Sequence, residues 1–354
     1  MRYLTEEYGN AGSRTHEFGV RAKQAVERGR EQIAAVIAAR RDDVIFTSGA
    51  TESNNIVLLG LANSAEGATR RHIVATAIEH KAVLEPLEHL AKQGFEVTLI
   101  NPDQSGRVDA QAVLDAVRAD TLLVSVMHAN NETGVVQPIE DIAADLPKPV
   151  WLHVDAAQTF GKLIAPLQNP RIDLISVSAH KIFGPKGIGA LISRRRHGQR
   201  APLSPLMFGG GQERGVRPGT QAVHLIAGFG MAAHMALRDH AQRQVACLKF
   251  RDGVLTAMAQ LGGQLNGDQE HCLPHVLNVS LPGLNSEAAM VALKGILALS
   301  NGSACTSTSY EPSHVLVAMG LDQERVECAL RLSWCHLTPA VDWPDVCEVL
   351  GRMM

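Results

Sequence analysis

Apolar residues recur along the chain in two alternating patterns, and this alternation predicts the fold class. Short β-rich runs such as VIFT, TLLVSVM and LISVS are separated by longer stretches in which apolar positions recur at helical spacing, as from Thr15 to Arg40. Strands and helices that alternate at these lengths are typical of a mostly parallel sheet covered by helices on both faces. The sequence therefore predicts an α/β fold.

The pattern changes in the last third of the chain. A long helical pattern extends from about Ala222 to Leu261, and beyond it short strands such as HVLNVSL mix with helices. This mixture is typical of a smaller α+β domain. We predict a domain boundary near residue 235, which gives a large domain of residues 1–235 and a small C-terminal domain of residues 236–354.

Composition and charge exclude several classes of function. The chain has 354 residues, of which 45% are hydrophobic, and this is enough for a full core. Its 33 basic and 36 acidic residues give a net charge of −3, so no strong field attracts nucleic acid or a membrane surface. No apolar run is long enough for a membrane span, and the first residues lack the order of a signal peptide. We expect a cytoplasmic protein that binds neither nucleic acid nor membranes directly.

Six cysteines lie in the last third of the chain: Cys247, Cys272, Cys305, Cys328, Cys335 and Cys347. They lack the paired C-x-x-C spacing of zinc sites and redox motifs, so we expect reduced thiols and no metal site. Five of them have apolar or helical neighbours and suit a packed core. Cys305 differs, because it lies inside the small polar run SNGSACTSTS.

Polar residues follow the apolar runs where the predicted strands end. The turn SGATES enters a helix, with Thr51 as its expected cap, and could bind an anion through free backbone N–H groups. Asp155 ends one strand and Lys181 follows another. Taken singly, each favours an ordinary role, such as a cap, an ion pair or a surface lysine. At the carboxyl edge of one sheet, however, an anion site, a carboxylate and a lysine are what pyridoxal phosphate requires.

Eight segments follow in the order typical of one enzyme family. They are FTSGATESNN, EHKAV, HANNETGVVQPI, HVDAAQTFGK, SVSAHKIFGPKGIGAL, GGGQERGVRPGT, GSACTS and LRLS. Over nearly its whole length the chain resembles the cysteine desulfurases of the fold-type I, class V aminotransferase-like family. The resemblance implies pyridoxal 5'-phosphate as cofactor, L-cysteine as substrate and L-alanine as product. It also implies a homodimer with active sites at the subunit interface, and a protein that accepts the sulfur.

The resemblance implies a role for each matching residue. Lys181 would form the Schiff base with the cofactor, His80 would stack on its ring and handle protons, and Cys305 would carry the sulfur as a persulfide. Arg331 and Asn131 would bind the substrate. The cofactor-binding positions implied are Ala50, Thr51, His80, Asn131, Asp155, Gln158, Ser178, His180, Lys181 and, from the partner subunit, Thr220.

Several alternatives remain open from the sequence. Taken singly, His80 could be a core histidine, Thr220 a helix cap and Arg331 an exposed residue of an amphipathic helix. The chain could be a selenocysteine lyase or another pyridoxal enzyme. Relatives usually begin with a strand and an ATT segment before the motif that is Gly9 and Asn10 here, so a non-catalytic scaffold is a further alternative.

The sulfur acceptor is also open from the sequence. The segments YGNAGSRTHEFG and GGGQERGVRPGT resemble those of desulfurases that supply DNA phosphorothioation. Desulfurases that serve iron–sulfur cluster assembly are similar in the same segments. The acceptor is therefore expected to be a DNA-sulfuration protein or an iron–sulfur scaffold.

Overall fold

The computed structural model describes residues 2–301 and 312–354, in which thirteen α-helices and ten β-strands form two sheets. The helices are α1 Arg2–Thr5, α2 Glu17–Val36, α3 Ala50–Ala62, α4 Ala65–Thr69, α5 Lys81–Lys92, α6 Ala110–Asp115, α7 Ile139–Asp145, α8 Val223–Arg238, α9 His240–Gln260, α10 Ser286–Ala292, α11 His314–Ala318, α12 Gln323–Glu327 and α13 Trp343–Gly351. The strands are β1 Val44–Thr47, β2 His72–Thr76, β3 Glu96–Ile100, β4 Thr121–Met127, β5 Trp151–Asp155, β6 Leu174–Ser178, β7 Gly189–Ser193, β8 Gln264–Leu265, β9 Val276–Ser280 and β10 Ala329–Ser333. Within these described ranges, none of the helices has the length and apolar character needed to cross a membrane.

The large sheet has seven strands in the order β1-β7-β6-β5-β4-β2-β3. The pairings from β3 to β6 are parallel, whereas β7 pairs antiparallel with both β6 and β1. This arrangement confirms the predicted α/β fold with a mostly parallel sheet. β7 is not predicted from the sequence, because the glycine- and proline-rich run of residues 183–189 before it is typical of a turn.

Neighbouring residues of the central strands face two different cores. On β2, Val74 packs in the core that contains α2 and α8, whereas Ile73 packs with α3 and α5. Val124 and Leu123 divide in the same way on β4. Because successive side chains of a strand point to opposite faces, both faces of the sheet are covered. This explains the nearly continuous apolar runs in the sequence.

The long helical pattern of the sequence forms two helices, α8 and α9, which meet at Asp239. α8 places Phe229 and Ala236 in a core of the large sheet. α9 places Val254 and Met258 in a separate core with the small antiparallel sheet, whose strand order is β10-β9-β8. The packing partner therefore changes at Asp239, near the predicted boundary at residue 235. The limits of the two domains stay a prediction.

Two glycines allow α2 and α8 to pack closely. A Cβ atom on Gly29 would lie 2.8 Å from Cγ2 of Ile226, and one on Gly230 would lie 2.7 Å from Cα of Gly29. Side chains do not tolerate approaches this short, so the two helices meet at this distance only because both positions lack a Cβ.

We expect the substitution Gly29→Val to lower the free energy of unfolding by about 1–3 kcal/mol, because the branched side chain must displace Ile226. Urea unfolding followed by circular dichroism measures this change. Ala35→Val is the matched control, since Ala35 is exposed on the same helix and its replacement should cost less than about 1 kcal/mol. Equal losses in the two variants would contradict the close packing of α2 on α8.

Candidate active site

A cavity of about 170 Å³ lies at the carboxyl ends of β4, β5 and β6, beside the starts of α3 and α5. In parallel α/β sheets this edge is the usual place for a ligand. The cavity brings together most of the residues that the sequence singles out: Ala50, Thr51, His80, Asn131, Asp155, Gln158, Ser178, His180 and Lys181.

The turn between β1 and α3 presents backbone donors to this cavity. Gly49 is the N-cap of α3, and the backbone N–H of Ala50 donates to Oγ of Ser178 at 2.8 Å. The expectation that Thr51 caps the helix is therefore wrong, because Thr51 is the second helical residue and lines the cavity instead. β7 passes close to this turn, since a Cβ on Gly189 would lie 2.6 Å from Cα of Gly49.

Asp155 ends β5 as a buried carboxylate in a fixed orientation. Its Oδ2 accepts a hydrogen bond from Nδ2 of Asn54 at 2.7 Å, and its Oδ1 accepts one from the backbone N–H of Ala157 at 2.9 Å. Asn54 also lines the cavity, although sequence reasoning does not identify it. The available signal is its position four residues after Ala50, which places both on one face of α3.

His80 is the N-cap of α5 and faces the same cavity. Its Nδ1 accepts a hydrogen bond from the backbone N–H of Ala82 at 3.0 Å. Burial, followed by the charge of Lys181, lowers the pKa of His80, whereas Asp155 opposes this shift. A neutral ring that accepts at Nδ1 carries its proton on Nε2. The ring of His80 can thus donate from Nε2.

Lys181 lies in a 3₁₀ turn, Ala179–Ile182, that follows β6. The turn ends at Phe183, whose φ of 68° is in the left-handed region that aromatic residues rarely adopt. This turn returns the chain across the carboxyl edge of the sheet, so that the side chains of His180 and Lys181 line the cavity. Burial, followed by the charges of Lys181 and Lys186, lowers the pKa of His180.

Arg331 approaches the same edge from the small sheet. It lies on β10 rather than on a helix, so the alternative of an exposed helical residue is wrong. Its Nη1 donates to the backbone oxygen of Asn131 at 3.2 Å, whereas its Nε is buried and has no hydrogen-bond acceptor within the described part of the chain. The backbone of Arg331 also bonds to Ser300 in both directions, at 2.6 and 3.2 Å.

Cys305 lies outside the described residues, but the chain on both sides of residues 302–311 is anchored beside Arg331. Ser300 bonds to the backbone of Arg331 on one side. On the other side, Oγ of Ser313 donates to Oε2 of Glu132 at 2.5 Å and caps α11. Glu132 is not identified as a functional residue by sequence reasoning, although it lies in the quoted segment HANNETGVVQPI. Burial raises the pKa of Glu132, which favours its neutral form.

Thr220 is exposed and is not among the residues that line the cavity of its own chain. In the segment before it, Glu213 forms a buried ion pair, in which Nη1 of Arg30 lies 2.7 Å from Oε2 of Glu213. The same carboxylate accepts from the backbone N–H of Phe46 at 2.9 Å. Within one chain, Thr220 therefore does not join the other predicted site residues.

The residues of the cavity fit pyridoxal phosphate. They supply an amine, a carboxylate, an imidazole and backbone and hydroxyl donors at a helix start. Six buried side-chain N or O atoms lack a hydrogen-bond partner within residues 2–301 and 312–354. Four of them belong to residues in or around this site: Asn54, Glu79, His128 and Arg331. Unsatisfied polar atoms concentrated at one place indicate a site for a polar ligand or ordered water. The described residues contain no cluster suited to a metal ion.

Glu79 is a fully buried carboxyl group directly before His80. Its Oε1 accepts from Oγ1 of Thr76 at 2.6 Å and from the backbone N–H of Met127 at 2.7 Å. Its backbone oxygen accepts from Nε2 of His314 at 3.0 Å. Burial raises the pKa of Glu79 to about 8, so this side chain is protonated at neutral pH.

We expect the stability that Glu79 contributes to fall as pH rises from its ordinary pKa of 4.5 towards about 8, because the folded state must take up an increasingly costly buried charge. Glu79→Gln removes this titration and keeps a neutral side chain of similar shape. In thermal unfolding between pH 5 and 9, the melting temperature of the variant should therefore increase relative to that of the natural protein as pH rises. Glu85→Gln, at an exposed position of α5, is the control. Parallel melting curves for Glu79→Gln and the natural protein would show that burial does not raise this pKa.

The chain is similar over most of its length to known proteins of one family. The profile of the aminotransferase class-V family matches residues 1–342. The chain is 45% identical over 333 residues to the mitochondrial cysteine desulfurase of Saccharomyces cerevisiae, and the aligned region covers 94% of this chain and 66% of that protein. It is 44% identical over 356 residues to the cysteine desulfurase IscS of Vibrio cholerae, and the aligned region covers 99% of this chain and 87% of that protein.

A solved structure gives the same result. The crystal structure of DndA from Streptomyces lividans is 54% identical to this chain, has a TM-score of 0.84 and covers 94% of both chains. The family that the sequence segments resemble is thereby confirmed, as are the fold and the cofactor class that it implies. The chain belongs to the aminotransferase class-V family, within its pyridoxal phosphate-dependent cysteine desulfurases.

Proposed function

We propose that this protein converts L-cysteine to L-alanine and transfers the sulfur, as a persulfide on Cys305, to an acceptor protein. The observation that carries the proposal is one cavity lined by Lys181, Asp155 and His80, beside which the buried Nε of Arg331 has no acceptor among the described residues. These groups can hold pyridoxal phosphate and the carboxylate of an amino acid at the same time.

Pyridoxal phosphate, when bound, supplies an aldehyde that exchanges amines and a ring that withdraws electrons from the substrate. Asp155 is suited to the protonated ring nitrogen, since its neighbours fix both carboxylate oxygens. His80, which lines the same cavity, would stack on the ring face. The phosphate would be held by Ala50, Thr51, Ser178 and His180, and the phenolic oxygen by Asn131 and Gln158.

Arg331 binds the substrate carboxylate in this proposal. Its Nη1 donates to the backbone oxygen of Asn131, which orients the guanidinium, while its Nε has no acceptor within residues 2–301 and 312–354. A carboxylate matches this need, because guanidinium donors pair with its two oxygens in parallel. The amine of Lys181 then takes the proton from Cα of the substrate and later returns a proton to the product.

Cys305 receives the sulfur. Its thiolate attacks the sulfur of the substrate, an S–S bond forms and the Cβ–S bond breaks. The electron pair passes to the carbon skeleton, which takes up a proton and leaves as alanine. Cys305 follows the anchored Ser300 by five positions, so chain length alone limits the distance between their Cα atoms to roughly 18 Å. This length suits a thiol that must serve both the cavity and an external acceptor.

A homodimer completes the site in this proposal. Thr220 is exposed, and the Arg30–Glu213 ion pair holds the segment that precedes it, so Thr220 is suited to reach the phosphate site of the partner subunit.

We further propose that the enzyme acts in the cytoplasm. A DNA-sulfuration protein is the acceptor we favour over an iron–sulfur scaffold. The segments YGNAGSRTHEFG and GGGQERGVRPGT support this preference. The sequence identity supports it too, because it is 54% to DndA and 44% to IscS.

The first test is alanine formation from L-cysteine by the purified protein with pyridoxal phosphate and a reductant. Cys305→Ser should keep the yellow cofactor and bind cysteine while losing persulfide and at least about 100-fold in alanine formation, because the nucleophile is gone. Lys181→Ala should lose the cofactor absorbance band of the lysine adduct. Cys335→Ser is the control thiol variant and should keep activity. Normal sulfide release by Cys305→Ser would remove this residue from the mechanism.

Turnover also separates the alternatives. A yellow protein that forms no alanine from cysteine would support the non-catalytic scaffold, and a strong preference for L-selenocysteine would support a lyase. Transfer of radioactive sulfur from cysteine to each purified candidate acceptor tests the pathway. Transfer to an iron–sulfur scaffold alone would contradict the phosphorothioation role.

We expect Arg331→Lys to raise KM for L-cysteine about tenfold or more with a smaller change in kcat, because an ammonium group cannot pair with both carboxylate oxygens. Steady-state kinetics measure the split, and cofactor absorbance shows that the site remains loaded. Arg325→Lys, on α12, is the control, since Arg325 bonds to Asn266 and to the backbone of Leu265. An unchanged KM in Arg331→Lys would exclude Arg331 as the carboxylate ligand.

A further inference from the structure

A second cavity, of about 40 Å³, shares no lining residue with the candidate active site. One wall of the cavity is formed by two loops of the large sheet, at residues 161–162 and 182–183. The other wall is formed by α9 and by residues next to the strands of the small sheet. A space of this size holds roughly three water molecules or an organic ion of similar volume. Its walls are mainly apolar, with Ile182, Pro274 and Trp334 among them.

Lys162 places an amine in this cavity. Its Nζ donates to Nε2 of His275 at 3.0 Å. Burial lowers the pKa of His275 to about 3, so this ring is neutral and accepts a hydrogen bond without balancing the charge. No carboxylate forms an ion pair with Lys162 among the ion pairs of residues 2–301 and 312–354. Burial, followed by the charge of Lys181, lowers the pKa of Lys162 to about 8.

Arg243 brings a second cation to the same cavity. Its nearest carboxylate is Asp239, whose Oδ2 lies 3.6 Å from Nη2 of Arg243 and which also pairs with Arg238 at 2.6 Å. The Nε of Arg243 is buried and has no acceptor in the described part of the chain. The described residues of the lining include no aspartate or glutamate. Its other ionisable residues are His240, which bonds to the backbone oxygen of Lys162, and His336, Cys247 and Cys335.

We propose that this cavity is an anion site that binds a small monocarboxylate between Lys162 and Arg243. Positive charge inside a mainly apolar space is costly unless an anion balances it. A guanidinium with a free donor suits a planar carboxylate, and the apolar walls suit a methyl-sized group rather than a phosphate. This inference does not depend on the proposed desulfurase activity.

The site adjoins the turn that carries the active-site lysine. Ile182 and Phe183 line the second cavity and directly follow Lys181, and Phe183 has the left-handed conformation that ends this turn. The charge of Lys181 also acts on Lys162. A bound carboxylate therefore contacts the back of the Lys181 turn and adds negative charge on that side of it.

Nuclear magnetic resonance of the holoprotein with ¹³Cε-labelled lysines tests the proposal. In a buffer whose only anion is too large for the cavity, the Lys162 signal should titrate at an unusually low pH. Saturating acetate should raise this midpoint by about one pH unit, which means that acetate binds about tenfold more tightly when Lys162 is in its ammonium form. Lys162→Met assigns the signal. Arg243→Gln should keep the signal but lose the acetate effect, whereas Lys148→Met, at an exposed position, should change neither.

Three results would overturn the proposal: an unchanged midpoint in 50 mM acetate, the same acetate shift in Arg243→Gln, or an equal shift of every lysine signal. Equal saturation by chloride would overturn the assignment to a carboxylate. If Lys162→Met does not fold, Arg243→Gln still provides the comparison. Because the lysine signal is read instead of turnover, a failed anion site and a failed desulfurase assignment are distinguishable.

Discussion

The parallel pairing of β4, β5 and β6 is the constraint on which the candidate site depends. In its register, Met127 lies opposite Asp155, and Asp155 lies opposite Ser176, so three strands end at one edge. Parallel strands of this kind end together and leave their last residues facing a common crevice. The amine of Lys181, the carboxylate of Asp155 and the start of α3 meet there although they are far apart in sequence.

Burial then sets the charge state of the groups behind this edge. The pKa of Glu79 and of Glu132 is raised by desolvation, and that of His80 is lowered by it. Each shift favours the neutral form, so these residues act through directed hydrogen bonds instead of through charge. Glu79 joins the ends of β2 and β4, while Glu132 joins the loop after β4 to Ser313.

The small sheet completes the site from a different direction. β10 presents Arg331 to the backbone of Asn131, and the backbone of Arg331 also holds Ser300. The same strand therefore positions the expected substrate ligand and one end of the segment that contains Cys305. Any shift of the small sheet relative to the large one would therefore move Arg331 and Ser300 together.

The sequence alone determined the features that depend on local pattern. Alternating apolar runs gave the α/β class, and residues directly after each run, such as Asp155 and Lys181, were recognisable because a strand end fixes their place. Tertiary structure decided what depends on contacts across the chain. Asn54 becomes a partner of Asp155, and Glu132 a partner of Ser313, only after segments 101 and 181 residues apart meet. The position of Lys162 likewise depends on the fold, which buries its amine beside a neutral His275 in a cavity whose described lining includes no aspartate or glutamate, because burial and pairing are properties of the packed chain.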